Sequence, residues 1–179
     1  MKQLHFLMIF FALFHFYRAG AEEITVGYIY TGNHNTDFSN IGVSLKMGEV
    51  SDERGNNPRQ IVGNYVAEGP LADIVQNALI QGLEHGGADL VDTDEDMRID
   101  GRIVSSQLQT VDRAGVESLQ LTIRTHVALQ GRGRTIWETT LFGRGTVPSS
   151  EGISAAVQGA LDRMIRELVN DDYFVIELQ

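Results

Sequence analysis

Residues 70–87 carry a single apolar stripe, and this stripe constrains the fold more than any other part of the sequence. The apolar residues recur at the three- and four-residue intervals that place side chains on one face of an α-helix. They are Leu71, Ile74, Val75, Ala78, Leu79, Gly82 and Leu83. Pro70 suits the first turn of a helix, and Gly86 or Gly87 suits its end. Because a short one-sided helix is unstable alone, we expect the rest of the chain to cover it.

The N-terminal residues have the pattern of a signal peptide. Lys2 precedes an apolar run over residues 4–17, and Ala19-Gly20-Ala21 is a small-residue cleavage site. The alternative is a membrane-spanning helix, but the run is shorter than the roughly 20 residues that spanning requires. We therefore predict a signal peptide over 1–21, cut after Ala21, and a single α/β domain over 22–179. The mature chain has no second apolar run, so no transmembrane segment is expected after cleavage.

Composition narrows the classes of partner. The formal net charge is −10, and loss of the leader removes Lys2 and Arg18 but no acidic residue, which gives −12. Because a domain with this negative charge would repel the phosphate backbone, no nucleic-acid partner is expected. The sequence contains no cysteine, so disulfides, thiolate metal ligands and lipid attachment through a thiol are all excluded.

Strand patterns recur through the rest of the chain as β-branched runs or as alternating apolar and polar residues. They cover residues 24–30, 41–50, 88–91, 99–108, 119–129, 135–142 and 173–178. The apolar parity switches within 99–108, which predicts a β-bulge or burial on both faces. Residues 149–169 repeat the pattern of an amphipathic helix. The order predicts an α/β (α+β) fold: a two-layer sandwich with a mixed, mostly antiparallel sheet and two amphipathic helices on one face.

Two regions are predicted to bind a partner. Residues 55–69 contain asparagine, proline and several glycines, and long loops of this kind are usually functional or mobile. The other region is the solvent-facing side of the sheet. The predicted binding residues are Arg54, Arg59, Tyr65, Arg124 and His126.

The sequence shows no pattern of a catalytic, metal or cofactor site. The histidines of the mature chain, His34, His85 and His126, have no recognisable catalytic partners nearby in sequence. The acidic run at 92–96 begins like a calcium loop, but Met97 and Ile103 occupy the positions of its glycine and its glutamate. Glycines around Arg132, Arg134 and Arg144 lack the strand-to-helix context of a phosphate loop. We therefore expect no cofactor, no metal and no enzymatic activity.

The chain contains, in order, a strand that ends in VSDER, a glycine-bearing linker, the NALIQGL core of the first helix, paired strands and a closing amphipathic helix. In these features it resembles the YajG-type family of bacterial envelope lipoproteins. The resemblance spans roughly residues 41–169 and implies a small non-enzymatic α/β domain in the periplasm of a Gram-negative cell. Those relatives carry a lipid-modified cysteine after the signal, whereas Ala21-Glu22 stands here. We therefore expect a free periplasmic protein.

These observations predict a non-enzymatic periplasmic binding or assembly module of the Gram-negative cell envelope. It would recognise an envelope protein or outer-membrane component through residues 55–69 and the exposed sheet face. One alternative is a structural subunit of a larger envelope complex or a homo-oligomer, joined through its sheet edges. The other is a hydrolase with a dispersed site that involves His126 and the carboxylates, which a cluster of His126, Glu138 and a serine in a deep pocket would favour.

Overall fold

The computed structural model describes residues 20–32 and 34–179, so residues 1–19 of the predicted signal peptide lie outside the described residues. The strands are β1 (Glu22–Ile24), β2 (Leu45–Asp52), β3 (Gln60–Val62), β4 (Tyr65–Ala67), β5 (Met97–Arg113), β6 (Val116–Gly131) and β7 (Arg134–Pro148). The helices are α1 (Leu71–His85), α2 (Gly152–Val169, after a 3-10 turn at Ser149–Glu151) and α3 (Asp172–Glu177). Within the described ranges, none of the helices is long and apolar enough to cross a membrane.

The main sheet has four strands in the order β2-β5-β6-β7. β2 runs parallel to β5, and the other neighbours pair antiparallel. The strands predicted at 99–108, 119–129 and 135–142 are confirmed, and each extends further than its pattern indicated. The register of β5 against β6 shifts between Ile103 and Ser105. This shift confirms the predicted bulge, and it changes the parity of the β5 side chains that face the core.

Both long helices lie on one face of this sheet, α1 against β2 and α2 against β6 and β7. The buried residues of α1 are those of its predicted stripe except Ile74, which is half-buried, and those of α2 recur at the same helical spacing. The two-layer α+β architecture is confirmed. α2 lies almost on the backbone of β7, where a Cβ added to Gly143 would be 2.6 Å from the carbonyl oxygen of Ala160. A side chain at this position would push the helix away from the strand, so glycine here permits the close approach.

Residues 55–69 form part of a second sheet, so the prediction of an irregular loop is wrong. β3 and β4 pair as an antiparallel hairpin, and β1 adds in parallel, in the order β1-β4-β3. Ile61 and Ala67 are completely buried. At the start of α1, Leu71 donates its N–H to the carbonyl oxygen of Pro58 at 2.8 Å. The glycines and asparagines therefore mark tight turns within a packed segment.

The prediction of a strand over residues 24–30 is wrong except at Ile24, the last residue of β1. Gly27 adopts a φ of 50°, which a strand does not permit. Its N–H donates to the carboxylate of Glu68 at 3.0 Å, and the N–H of Tyr30 donates to the side-chain oxygen of Gln81 at 2.8 Å. Side chains from neighbouring elements thus satisfy backbone groups that a strand would have paired.

Two further strand predictions are wrong. Residues 173–178 lie mostly in α3, because the Asp171 side chain accepts the N–H of Phe174 at 3.0 Å and so caps a helix. The Phe174 ring is buried, with its centroid 5.0 Å from that of Trp137. Residues 88–91 contribute only one isolated bridge to the sheet.

Candidate partner-binding surfaces

The helices cover one face of the main sheet, and the opposite side, here called the outer face, is largely exposed. Successive side chains of a strand point to opposite sides, so the outer face is built from the residues that alternate with the buried ones in β5, β6 and β7. Its charged and aromatic members include Arg98, Asp100, Arg102, Arg124, His126, Glu138, Phe142 and Arg144. Four of these are arginines and two are carboxylates, in contrast with the net charge of −10 for the whole chain.

His126 lies near the middle of the outer face. Its Nε2 is 3.4 Å from Oε2 of Glu138, and the two side chains are 21% and 62% exposed. Arg102 is its direct neighbour on β5. These residues border a shallow depression of about 310 Å³ that Ser51 and Asp100 also line. The depression is open to solvent, which suits contact with a macromolecule better than enclosure of a small molecule.

Arg124 pairs across the strands with Phe142. The guanidinium carbon lies 5.2 Å from the centroid of the Phe142 ring, which is cation–π distance. The ring remains 41% exposed. An arginine and an exposed aromatic ring side by side are residue types enriched at protein interfaces.

Arg54 does not lie on an exposed surface. Its side chain is 3% exposed and forms a two-point ion pair with Asp52, with Nε–Oδ1 and Nη2–Oδ2 distances of 2.8 and 2.6 Å. It also donates to the carbonyl oxygens of Gln60 and Ile61 and to Oγ of Ser106. Burial raises the pKa of Asp52, but the hydrogen bonds from Arg54 outweigh burial and hold that pKa below its usual value. Arg54 thus positions β3 on β5.

Arg59 lies in the turn directly before β3, and Tyr65 is the first residue of β4. Nη2 of Arg59 is 2.6 Å from Oε1 of Glu23, and its Nε donates to the carbonyl oxygen of Ala67 at 2.8 Å. These contacts tie β1 to the hairpin. Tyr65 is half-buried and packs against the core.

The structure therefore divides the five predicted binding residues into two groups. Arg124 and His126 are neighbours on the outer face. Arg54 bonds to Ser106, and Ser106 pairs with the buried Ile123, so this contact lies on the helix side of the main sheet. The structure brings together one pair of the predicted residues on an exposed surface and places the others in the packing of the small sheet.

Sequence reasoning missed a set of arginines beside β7. A groove of about 1040 Å³ runs along the second half of this strand, and its charged lining residues are Asp112, Arg113, Arg144, Arg163, Arg166 and Glu167. The sequence suggested Arg144 only as a partner of Arg132 and Arg134, which lie at the other end of β7. The available signal was the pair of arginines three residues apart on the polar face of α2.

The acidic run at 92–96 has a structural role. Oδ2 of Asp96 accepts the backbone N–H and the hydroxyl of Ser44, at 2.9 and 2.8 Å. These bonds, the backbone one foremost, lower the pKa of Asp96. Among residues 20–32 and 34–179, no three His, Cys, Asp or Glu side chains are grouped so as to hold a metal ion.

Comparison with known proteins gives a family and a fold. The model of the LptE family, described as lipopolysaccharide assembly, matches residues 57–171. Protein XCC0632 from Xanthomonas campestris, of family DUF330, superposes with a TM-score of 0.65 at 16% identity, covering 88% of this chain and 97% of that one. This similarity supports the fold.

Two weaker structural matches are a minor lipoprotein from Acinetobacter baumannii and the hypothetical protein CT253 from Chlamydia trachomatis. The first has a TM-score of 0.46 at 12% identity, covering 73% of this chain and 91% of that one. The second has a TM-score of 0.47 at 11% identity, covering 75% and 98%. A comparison with curated protein sequences finds no match.

The family match corrects the predicted resemblance to the YajG-type family, because the model that fits more than half of the chain is a different one. It confirms the expectation of a non-enzymatic protein of the cell envelope, and the hydrolase alternative is therefore wrong. The chain belongs to the LptE family of lipopolysaccharide-assembly proteins, a non-enzymatic family that acts in outer-membrane assembly.

Proposed function

We propose that this protein acts in lipopolysaccharide assembly by binding an outer-membrane component, on the periplasmic side, through the outer face of its main sheet. The observation that carries the proposal is the exposure of this face opposite the helix layer, with Arg102, Arg124, His126 and Phe142 close together on it. The family association supports LptD as the component.

The charge of the outer face supports a partner with an acidic surface. Arginines outnumber carboxylates on this face although the chain as a whole is acidic. Complementary charge accelerates association and selects among partners more than it adds affinity. Phe142, exposed beside Arg124, supplies the apolar contact that such an interface also needs.

The test is a charge reversal on the outer face. Arg102→Glu combined with Arg124→Glu should lower the affinity for purified LptD at least tenfold and slow association most at low salt. Arg132→Glu combined with Arg134→Glu, at the exposed turn between β6 and β7, makes the same charge change away from the outer face and should leave affinity unchanged.

Surface plasmon resonance at two salt concentrations measures both pairs, and circular dichroism checks that each variant is folded. Equal affinities of the outer-face variant and the wild type would overturn the proposal. An equal loss in both variants would show only a dependence on total charge, which also contradicts it.

We also propose a second contact at the tip of the β3–β4 hairpin. Gly63 and Asn64 are exposed there, whereas Ile61 and Ala67 are completely buried, so deletion of residues 55–69 would remove part of the core. Asn64→Arg changes the tip without touching the core. A loss of LptD binding with an unchanged urea midpoint would support this contact, and unchanged binding would argue against it.

The predicted cut after Ala21 and the single domain over 22–179 remain part of this proposal. Intact-mass and N-terminal analysis of protein recovered from periplasm should find Glu22 as the first residue. Recovery of residues 1–19 on the purified protein would contradict it.

A further inference from the structure

Among the strands of the described residues, β7 is an edge strand of 15 residues that pairs in the sheet with β6 alone. The N–H of Phe142 points away from β6 and donates to Oε2 of Glu167 at 2.7 Å. N–H and C=O groups alternate in direction along a strand, and the β6–β7 register is regular past the shift near Gln130. The backbone groups of Thr140, Arg144 and Thr146 therefore point outward with those of Phe142, which leaves an edge that can accept another strand.

The groove of about 1040 Å³ lies directly beside this edge. It is walled by α2 on one side and by the end of the β5–β6 hairpin, near Asp112 and Arg113, on the other. The walls are firmly held, because Gly145 packs so closely on α2 that a Cβ there would collide with the carbonyl oxygen of Ala156. The strand edge beside the groove, from Thr140 to Val147, is long enough to pair with an extended peptide segment.

The charge of the groove indicates an acidic occupant. Its lining carries Arg113, Arg144, Arg163 and Arg166 against Asp112 and Glu167. Glu167 is already paired, since its Oε1 accepts from Nε of Arg163 at 2.9 Å while its Oε2 accepts from Phe142. A carboxylate of the chain itself thus sits on the strand edge between a backbone N–H and an arginine, in the position that a carboxylate of a ligand could take.

Two other occupants fit less well. A second copy of β7 would carry Arg134 and Arg144 against the single acid Glu138 and so would bring a basic strand to a basic groove. An anionic lipid headgroup has no donors and acceptors at the regular spacing of a strand, whereas an extended peptide matches the alternating N–H and C=O groups of the edge.

We propose that the outer edge of β7, from Thr140 to Val147, binds an extended acidic segment of a partner protein as a fifth strand of the main sheet. The backbone of the segment pairs with Thr140, Phe142 and Arg144. Its carboxylates contact Arg144, Arg163 and Arg166. Glu167 leaves the N–H of Phe142 when the segment binds. This site shares Phe142 and Arg144 with the outer face, but it differs from the contact proposed above because it uses the strand edge and α2 and does not involve Arg102 or His126.

The test uses the full chain and a fluorescein-labelled ten-residue peptide of alternating Glu and Val, followed by fluorescence anisotropy. Two control peptides are the Lys-Val analogue and an acidic peptide with proline at alternate positions, which lacks the N–H groups needed for pairing. The acidic peptide should bind and both controls should not. Arg144→Glu should weaken binding at least tenfold, and Glu167→Ala should tighten it at least threefold by removing the internal competitor.

Backbone pairing is tested by Thr140→Pro, which removes an outward N–H that β6 does not use and should weaken binding at least fivefold. Opposite effects of Glu167→Ala and Arg144→Glu on peptide affinity cannot come from misfolding.

Equal binding of the proline peptide and the acidic peptide would overturn the proposal. Binding of phosphatidylglycerol vesicles in the absence of peptide binding would also overturn it. The same holds if light scattering shows a dimer that Thr140→Pro dissociates but that the peptide leaves intact. Arg102→Glu alone, which lies outside the groove, should weaken LptD binding but should not affect the peptide, so this test and the LptD test can fail separately.

Discussion

Arg54→Met removes the positive member of a buried ion pair and should strongly lower the free energy of unfolding. The Arg54 and Asp52 side chains are 3% and 10% exposed. The substitution leaves the Asp52 carboxylate without its partner and removes the donor to the carbonyls of Gln60 and Ile61. Removing one partner of a buried pair costs about 3–5 kcal/mol. Since domains are stable by only about 5–15 kcal/mol, the loss is a large fraction of the total.

The matched control is Arg98→Met. Arg98 pairs with Asp100 at the same two-residue spacing, with an Nε–Oδ1 distance of 2.9 Å, but the side chains are 47% and 32% exposed. An exposed pair contributes less than about 1 kcal/mol. Urea unfolding followed by circular dichroism at pH 7 gives both free energies. If Arg54→Met costs no more than Arg98→Met, the argument from burial is refuted.

The loss should also depend on pH. The pKa of Asp52 is lowered in the folded protein, so the pair stabilises above the ordinary aspartate pKa of about 3.9, and this stabilisation is lost as pH falls through the lower folded value. In Arg54→Met the unpaired carboxylate is most costly when ionised. The difference in unfolding free energy between wild type and variant should therefore be largest at neutral pH and should narrow below about pH 4. A difference that stays constant down to pH 3 would contradict this explanation.

Two further predictions concern packing and titration. Gly145→Ala places a Cβ against the carbonyl oxygen of Ala156 and should cost about 1–3 kcal/mol in urea unfolding, whereas Gly69→Ala, with no atom within 4 Å of the added Cβ, should change stability little. The Tyr28 hydroxyl donates to Asp162 at 2.7 Å, and burial together with this carboxylate raises the Tyr28 pKa. The native state therefore holds this proton more tightly than the unfolded state, so stability should fall as pH rises above about 10, and Tyr28→Phe should reduce that fall.

The helices and long strands could be predicted because their periodicity is local. The apolar stripe of α1 and the apolar–polar alternation of β6 each predict which side chains share a face. The change of apolar parity near Ile103 predicts the bulge in β5. The pattern fails where a short apolar run fits both periods. Residues 173–178 are such a run, and the Asp171 cap and the contact between Phe174 and Trp137 decide in favour of a helix.

The candidate surfaces show the same limit. Arg124 and His126 could be placed on a sheet face from alternation alone, but alternation does not say which strand lies beside them. Arg54 was predicted as a binding residue, and only the packing of β3 on β5 shows it buried against Asp52.

The sequence by itself was enough to predict the two amphipathic helices and the long strands of a mixed sheet. It also shows an acidic chain that has no cysteine and no catalytic pattern. Only the tertiary structure decided that β7 is the edge strand, and that arginines from β5, β7 and α2 meet beside it. The physical reason is that periodicity fixes the face on which a side chain lies, whereas its neighbours depend on contacts between residues far apart in the chain.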